Sequence, residues 1–203
     1  MRGLYLLTPN WDDTDRLLDV TEQALQEGVA LLQYRHKSAD VILRREQASA
    51  LQLLARKYGV PFIINDFIAL CEELDADGLH VGGTDMSVAE ARARLGKDKL
   101  VGASCYGDLL LARKAEAAGA SYVAFGGFYP SLVKQYPVTT DPDIVVQARR
   151  EIALPCVVIG GMTPDNAAPL VTRGADLVAA ISSVYLADDV TMSVRKFNEL
   201  FGS

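Results

Sequence analysis

The chain of 203 residues is poor in the groups on which several kinds of chemistry depend. Its three cysteines, Cys71, Cys105 and Cys156, lie far apart and form no Cys-x-x-Cys pair. They suit neither a disulfide frame nor a zinc site, and are expected to be reduced thiols within a core. The two histidines form no His or Cys cluster of the kind that binds zinc, and no Ser-His-Asp or Cys-His arrangement stands out. His80 lies inside an apolar stretch and reads as a buried, hydrogen-bonded residue. No apolar run approaches the roughly 18 residues that cross a bilayer. No Gly-x-Gly-x-x-Gly follows an apolar stretch, as a dinucleotide site would require. Positive charge is scarce as well: 20 Lys and Arg stand against 26 Asp and Glu, a net charge of −6. That balance argues against nucleic acid or an anionic membrane as partner, and an anionic substrate would need a locally cationic pocket or a metal ion. Met1-Arg2-Gly3-Leu4-Tyr5 runs straight into an apolar strand pattern, without the length or small-residue cleavage site of a secretory signal. A cytoplasmic location is therefore expected.

Half of the residues are apolar, enough for one domain with a sizeable core. They fall into a regular alternation. Strand patterns cover 3–8, 29–32, 61–66, 77–81, 100–104, 121–125, 156–159 and 176–181. Helical spacing covers 15–27, 39–58, 67–74, 86–95, 108–118, 143–152, 164–173 and 191–200. A helix-Gly-Ala-strand junction recurs at Gly119-Ala120 and Gly174-Ala175, a weak βα periodicity. The strands are almost wholly apolar, as they must be when both faces are covered. Strands that each lead into a helix, with no linker-like break, predict a single α/β domain over 1–203, a (β/α)8 TIM barrel with short loops. An open doubly wound sheet is the alternative.

Polar residues gather at the strand ends. Gln33-Tyr34-Arg35-His36-Lys37 follows the second strand, and alternation turns Gln33, Arg35 and Lys37 to one side. A planar guanidinium beside an ammonium suits a polyanion, above all a diphosphate. Successive strands are followed by Asn65-Asp66, by Asp85, by Ser104, by Ser131 and Lys134, by Gly160-Gly161, and by Ser182-Ser183. In a barrel these ends converge on one mouth. Asp66 and Asp85 are hard carboxylates of the kind that bind magnesium. Gly160-Gly161 and Ile181-Ser182-Ser183 match the phosphate site often built after strands seven and eight. The segment 126–142, with Phe128, Tyr129, Lys134 and Tyr136, is long for a βα connection and fits a lid. Each feature has a plain structural counterpart: a solvent-facing strand edge, helix N-caps, a tight turn, a surface flap. Their recurrence at seven consecutive strand ends favours a site.

The chain resembles thiamine phosphate synthases along essentially its whole length. The matching pieces are Gln33-Tyr34-Arg35-His36-Lys37, Asn65-Asp66, Ala76-Asp77-Gly78-Leu79-His80-Val81-Gly82, Asp85, Gly102-Ala103-Ser104, Phe125-Gly126-Gly127-Phe128-Tyr129-Pro130-Ser131, Lys134, Ile159-Gly160-Gly161-Met162-Thr163 and Ala180-Ile181-Ser182. The resemblance implies a transferase that joins 4-amino-5-hydroxymethyl-2-methylpyrimidine diphosphate to a thiazole phosphate and releases diphosphate. It implies that Gln33, Arg35, Lys37, Asn65 and Lys134 hold the pyrimidine diphosphate, and that Asp66 and Asp85 bind Mg2+. It further implies that Ser104 contacts the pyrimidine, and that Ser131, Gly161, Ile181 and Ser182 hold the thiazole phosphate. The family's reaction is dissociative, with a pyrimidine-stabilised cation captured by the thiazole nitrogen. Arg35, Lys37 and Lys134 would then act on the leaving group, with Ser104 at the reacting ring. Four positions depart from the family pattern: Val133 replaces a threonine, Phe67 an arginine, Gly83 a glutamine and Tyr106 a histidine. The competing readings are a thiazole tautomerase or phosphate-ester isomerase, which would not need the diphosphate cations, and a non-catalytic phosphate-ligand binder. Pairing into a homo-oligomer through the outer helices is open to so small a barrel, although no apolar stripe marks an interface.

Overall fold

The computed structural model describes residues 1–82, 86–130 and 139–202. Among them the strands are β1 (Gly3–Leu7), β2 (Leu31–Tyr34), β3 (Phe62–Asn65), β4 (Gly78–Val81), β5 (Leu100–Tyr106), β6 (Tyr122–Gly126), β7 (Cys156–Ile159) and β8 (Leu177–Ala180). The helices are α1 (Thr14–Gln26), α2 (Val41–Lys57), α3 (Ile68–Glu73), α4 (Val88–Leu95), α5 (Leu109–Ala117), α6 (Asp143–Glu151), α7 (Pro164–Thr172), α8 (Ser182–Tyr185) and α9 (Val190–Glu199). The strands pair in parallel, in chain order, and β8 returns to β1 with Gly3 opposite Leu177 and Leu6 opposite Ala180. That closing pair makes the sheet a barrel and excludes the open doubly wound alternative.

The barrel separates two apolar layers. One alternating set of strand residues faces inward: Tyr5 and Leu7 of β1, Leu31 of β2, Ile63 of β3, Tyr122 and Ala124 of β6, Val157 of β7, Leu177 and Ala179 of β8. The other set, including Leu4, Leu6, Leu32, Phe62, Ile64, Val123 and Val158, meets the helices. Each helix offers a stripe to it. In α1 the stripe is Leu17, Thr21, Ala24 and Leu25, with the 3.6-residue spacing of a single face. Asp13 starts that helix by accepting the Arg16 N–H at 3.0 Å.

Local differences from the sequence expectation lie at the strand ends. β2 begins two residues later than expected, because Tyr5 pairs with Leu31 and Leu7 with Gln33, so Gln33 is part of the strand itself. β5 runs on to Tyr106, with a register irregularity between Ser104 and Tyr106 and a positive φ of 52° at Tyr106. Such bulges re-aim side chains at barrel rims. The turn after β8 is the short helix α8.

The N-terminal face is stapled by side chains. Asp77 Oδ2 accepts the Phe62 N–H at 2.8 Å, Ser121 Oγ the Val101 N–H at 3.0 Å, and Asp176 Oδ2 the Cys156 N–H at 2.8 Å. Each acceptor precedes an even-numbered strand and pins the start of the odd strand before it. The three cysteines are buried and free. Desolvation in the core pushes each thiol up to about 12.

Candidate active site

The opposite, C-terminal face opens into a cavity of about 730 Å³. Gln33, Arg35, Lys37, Asn65, Asp66, Ser104, Gly161, Ile181 and Ser182, all expected at the site, line its wall. Asp85, Ser131 and Lys134, and with them Gly83, Val133 and Tyr136, lie outside the described residues.

One side of the cavity is cationic. Thr8 at the end of β1 holds the backbone of Arg35: its hydroxyl accepts the Arg35 N–H at 2.8 Å and donates to the Arg35 carbonyl at 3.3 Å. Arg35 is 6% exposed, so its charge acts where solvent screening is weak. His36, between the two cations, points elsewhere. Its Nδ1 accepts the Ala39 N–H at 3.0 Å, which leaves the proton on Nε2 to donate to Asp12 at 3.0 Å. It fastens the loop after β1 to the loop after β2. Lys37 is half exposed and places its Nζ 3.3 Å from Asp66 Oδ2.

Asp66 resolves one of the open alternatives. It could have been a helix cap, but α3 is preceded by Phe67 and has no side-chain cap. Asp66 has φ of +63°, a left-handed conformation that costs a non-glycine residue about 1 kcal/mol. Its carboxylate accepts from Asn65 Nδ2 at 2.6 Å and faces the cavity beside Lys37. A hard, cavity-facing oxygen donor that caps nothing fits a magnesium ion, which uses one or two protein carboxylates. Among the described residues no group of three or more His, Cys, Asp or Glu gathers as a metal site.

The opposite side is built from backbone. Gly161 has φ of +62°, and a Cβ there would lie 2.1 Å from the Pro130 carbonyl oxygen. Only glycine lets these two chain segments meet. Asn166 Nδ2 donates to the Gly161 carbonyl at 2.8 Å, and Tyr129 Oη donates to the Asn166 carbonyl at 2.9 Å. The start of α7 is capped by Thr163 with Asn166, a capping box, while Asp165 lies within the first turn.

The floor holds residues that sequence reasoning did not single out. Gln33 Nε2 donates to Tyr5 Oη at 2.5 Å, and the Tyr5 and Tyr122 hydroxyls lie 2.7 Å apart. Tyr122 Oη lies 3.1 Å from His80 Nδ1, and His80 Nε2 lies 2.9 Å from Ser104 Oγ. His80 is thus buried and hydrogen-bonded, as expected, yet it also touches the cavity. Burial raises the pKa of both tyrosines well above the ordinary phenol value, so both stay neutral. The available signal was Gly102. A Cβ there would lie 2.0 Å from the Tyr122 ring, so a glycine in β5 makes room for a large side chain from β6. Two residues that depart from the family pattern are also placed. Tyr106 lines the rim and is 42% exposed, and Phe67 carries the Arg44 guanidinium 3.7 Å from its ring centroid.

The cavity therefore joins buried positive charge, a carboxylate that caps no helix, a hydrogen-bonding floor and a glycine turn. Comparison with known proteins identifies the family. The family model described as thiamine monophosphate synthase matches residues 4–184. A thiamine-phosphate synthase of Janthinobacterium sp. (strain Marseille) is 66% identical over 99% of this chain and 97% of its own length. One from Thiobacillus denitrificans is 50% identical over 99% of this chain and 95% of its own. Among solved structures, a thiamine phosphate pyrophosphorylase from Pyrococcus furiosus superposes with a TM-score of 0.85 at 28% identity, covering 98% of this chain and 94% of that one.

Proposed function

The chain belongs to the thiamine monophosphate synthase family, and from that premise we propose that its cavity joins a pyrimidine diphosphate to a thiazole phosphate. It is a transferase whose products are thiamine phosphate and diphosphate. The observation that carries the reading is the meeting of Arg35, Lys37, Asn65 and Asp66 with Gly161, Ile181 and Ser182 around one cavity. An isomerase of a single phosphate ester has no use for the first group.

In this reading Arg35, Lys37 and Asn65 bind the diphosphate, joined by Lys134. Negative charge grows on the diphosphate as its bond to the pyrimidine methylene breaks, and the buried Arg35 charge is strongest there. Lys37 is released from Asp66 to follow the leaving group. Ser104 and Gln33 orient the pyrimidine over the floor. Gly161, Ile181, Ser182 and Ser131 hold the thiazole phosphate so that the ring nitrogen faces the cationic carbon. That nitrogen needs no general base, in keeping with a floor of neutral tyrosines and one histidine. Asp66, with Asp85, would hold Mg2+, which when bound neutralises diphosphate oxygens. Walls of apolar and aromatic residues limit water that would otherwise trap the cation. The three buried thiols accord with a reducing, cytoplasmic setting, and the substrates are small molecules rather than nucleic acid or membrane.

The test is direct. Purified protein, magnesium, the pyrimidine diphosphate and the thiazole phosphate are mixed, and thiamine phosphate and diphosphate are followed by chromatography. Equimolar, magnesium-dependent appearance of both is expected. Binding of both substrates without product would make the protein a phosphate-ligand binder. Failure to bind the diphosphate would move the isomerase reading ahead.

A further inference from the structure

The floor carries a role beyond shape. We propose that Tyr5, Tyr122 and His80 form one proton-ordered chain that makes its two ends, Gln33 and Ser104, read the donor and acceptor groups of a 4-aminopyrimidine ring. The proposal rests on the synthase reading of the cavity and deepens it. The five side chains come from β1, β2, β4, β5 and β6, and they link without a break from Gln33 to Ser104.

The proposed order is a count of protons. A neutral hydroxyl has one proton to donate. Gln33 Nε2 donates to Tyr5 Oη; either tyrosine hydroxyl can donate in the next link, and the proposed order has Tyr5 give its proton to Tyr122. Tyr122 in turn donates to His80 Nδ1. Neutral His80 must then carry its proton on Nε2 and donate it to Ser104 Oγ. Ser104 keeps its hydroxyl proton for the cavity. At the far end, the amide nitrogen of Gln33 is turned to Tyr5 and its Oε1 is the acceptor that remains. In that order the chain presents an acceptor, Gln33 Oε1, and a donor, the Ser104 hydroxyl, and both residues line the cavity.

A 4-aminopyrimidine is complementary to that pair. Its exocyclic amino group donates, and its ring nitrogens accept. The corresponding pyrimidinone has a carbonyl in place of the amino group and an N–H in the ring. To bind it, the Gln33 amide would have to flip, both hydroxyls would have to rotate and His80 would have to change tautomer, all together. Buried polar chains of this kind respond as a unit. Gly102 keeps the link intact, since a methyl group there would push Tyr122 off its place.

The experiment reads the proton on His80 directly. Because the chain has two histidines, labelling them with 15N gives a spectrum that can be assigned completely. His36 serves as an internal reference, since its Nδ1 accepts a backbone N–H and its proton is on Nε2. The expected result is that His80 is also the Nε2–H tautomer in the wild type. In Tyr122→Phe, which retains the ring, Nδ1 loses its donor and the tautomers mix. An Nδ1–H tautomer in the wild type, or a His80 tautomer unmoved by Tyr122→Phe, would overturn the ordering. The kinetic arm uses Tyr5→Phe and Tyr122→Phe after thermal melting shows that each is folded. The Michaelis constant for the pyrimidine diphosphate should rise about tenfold, as when a buried hydrogen-bonding set loses its match to substrate, with that for the thiazole phosphate unchanged. An unchanged pyrimidine constant would refute the reading of the ring by this chain. If the wild type makes no thiamine phosphate at all, the synthase reading fails, and the tautomer measurement still decides the proton order.

Discussion

Asp176 stands at the N-terminal end of the barrel and accepts the Cys156 N–H, with Arg149 3.4 Å away. Asp66 stands at the C-terminal end in a left-handed conformation and caps no helix. The two faces use one residue type for different ends. Below, carboxylates and Ser121 complete the hydrogen bonding of strand starts, and the chain gains stability from each. Above, a carboxylate in a left-handed backbone state faces the cavity. Left-handed backbone occurs at both faces, since Asp75 before β4 has φ of +50°; what differs is that the N-terminal carboxylates bond strand starts while Asp66 faces the cavity.

Substitutions at the two ends should separate accordingly. The largest effect belongs to Arg35→Ala. Loss of a buried cation beside the leaving group should lower kcat by about a hundredfold or more, read as diphosphate release, with a melting temperature close to wild type. Arg149→Ala at the other face should change kcat by less than about twofold, because its exposed ion pair contributes little. A similar loss of activity in both would erase the distinction between the faces.

Asp66→Ala should cost about tenfold or more in turnover at limiting magnesium, as expected if a metal contact is lost. Asp66→Gly should lose activity in the same way yet unfold at a higher denaturant concentration, by about 1 kcal/mol, since glycine removes the left-handed penalty. Stability that falls in Asp66→Gly would mean that the carboxylate is a structural staple after all. Asp176→Ala is the mirror experiment. It strands the Cys156 N–H and should destabilise the fold by about 1–3 kcal/mol while leaving kcat unchanged. Urea titration and steady-state kinetics on the same samples check both halves.

The smallest effect concerns the wall between the faces. The folded thiols titrate near 12 against an ordinary 9.0, because burial disfavours the thiolate. A raised folded pKa leaves stability intact below the unfolded value and removes it as pH climbs through the folded one. The urea midpoint should therefore hold up to about pH 9 and decline above it, and alkylating reagents should reach the cysteines only after unfolding. Rapid alkylation of the native protein would place a thiol at the cavity or the surface.

Much of this was legible in the residue pattern, and for particular reasons. Eight apolar runs separated by helical spacing left few architectures that could cover both faces of every strand. Gln33, Arg35 and Lys37 were found because alternation along an extended chain puts them on one side. Gln33 then proved to lie inside β2, because register with β1 moved the strand by two residues. Asp66 could not be separated from a helix cap by type or spacing; the structure shows that it caps nothing, because α3 starts after Phe67 with no side-chain cap. Tyr5 and Tyr122 went unseen because strands apolar on both faces do not reveal which face points into the barrel.

The sequence by itself determined the order of strands and helices and the set of polar residues at the strand ends. Those depend on local periodicity and on neighbours along the chain. Closure of the sheet, the bulge after Ser104 and the link from Gln33 to Ser104 were decided by tertiary structure alone. The Tyr5 and Tyr122 hydroxyls, 117 positions apart in sequence, meet at 2.7 Å because barrel closure brings β1 and β6 across a common interior. No local rule carries a distance of that kind, since it arises from packing strands around a ring.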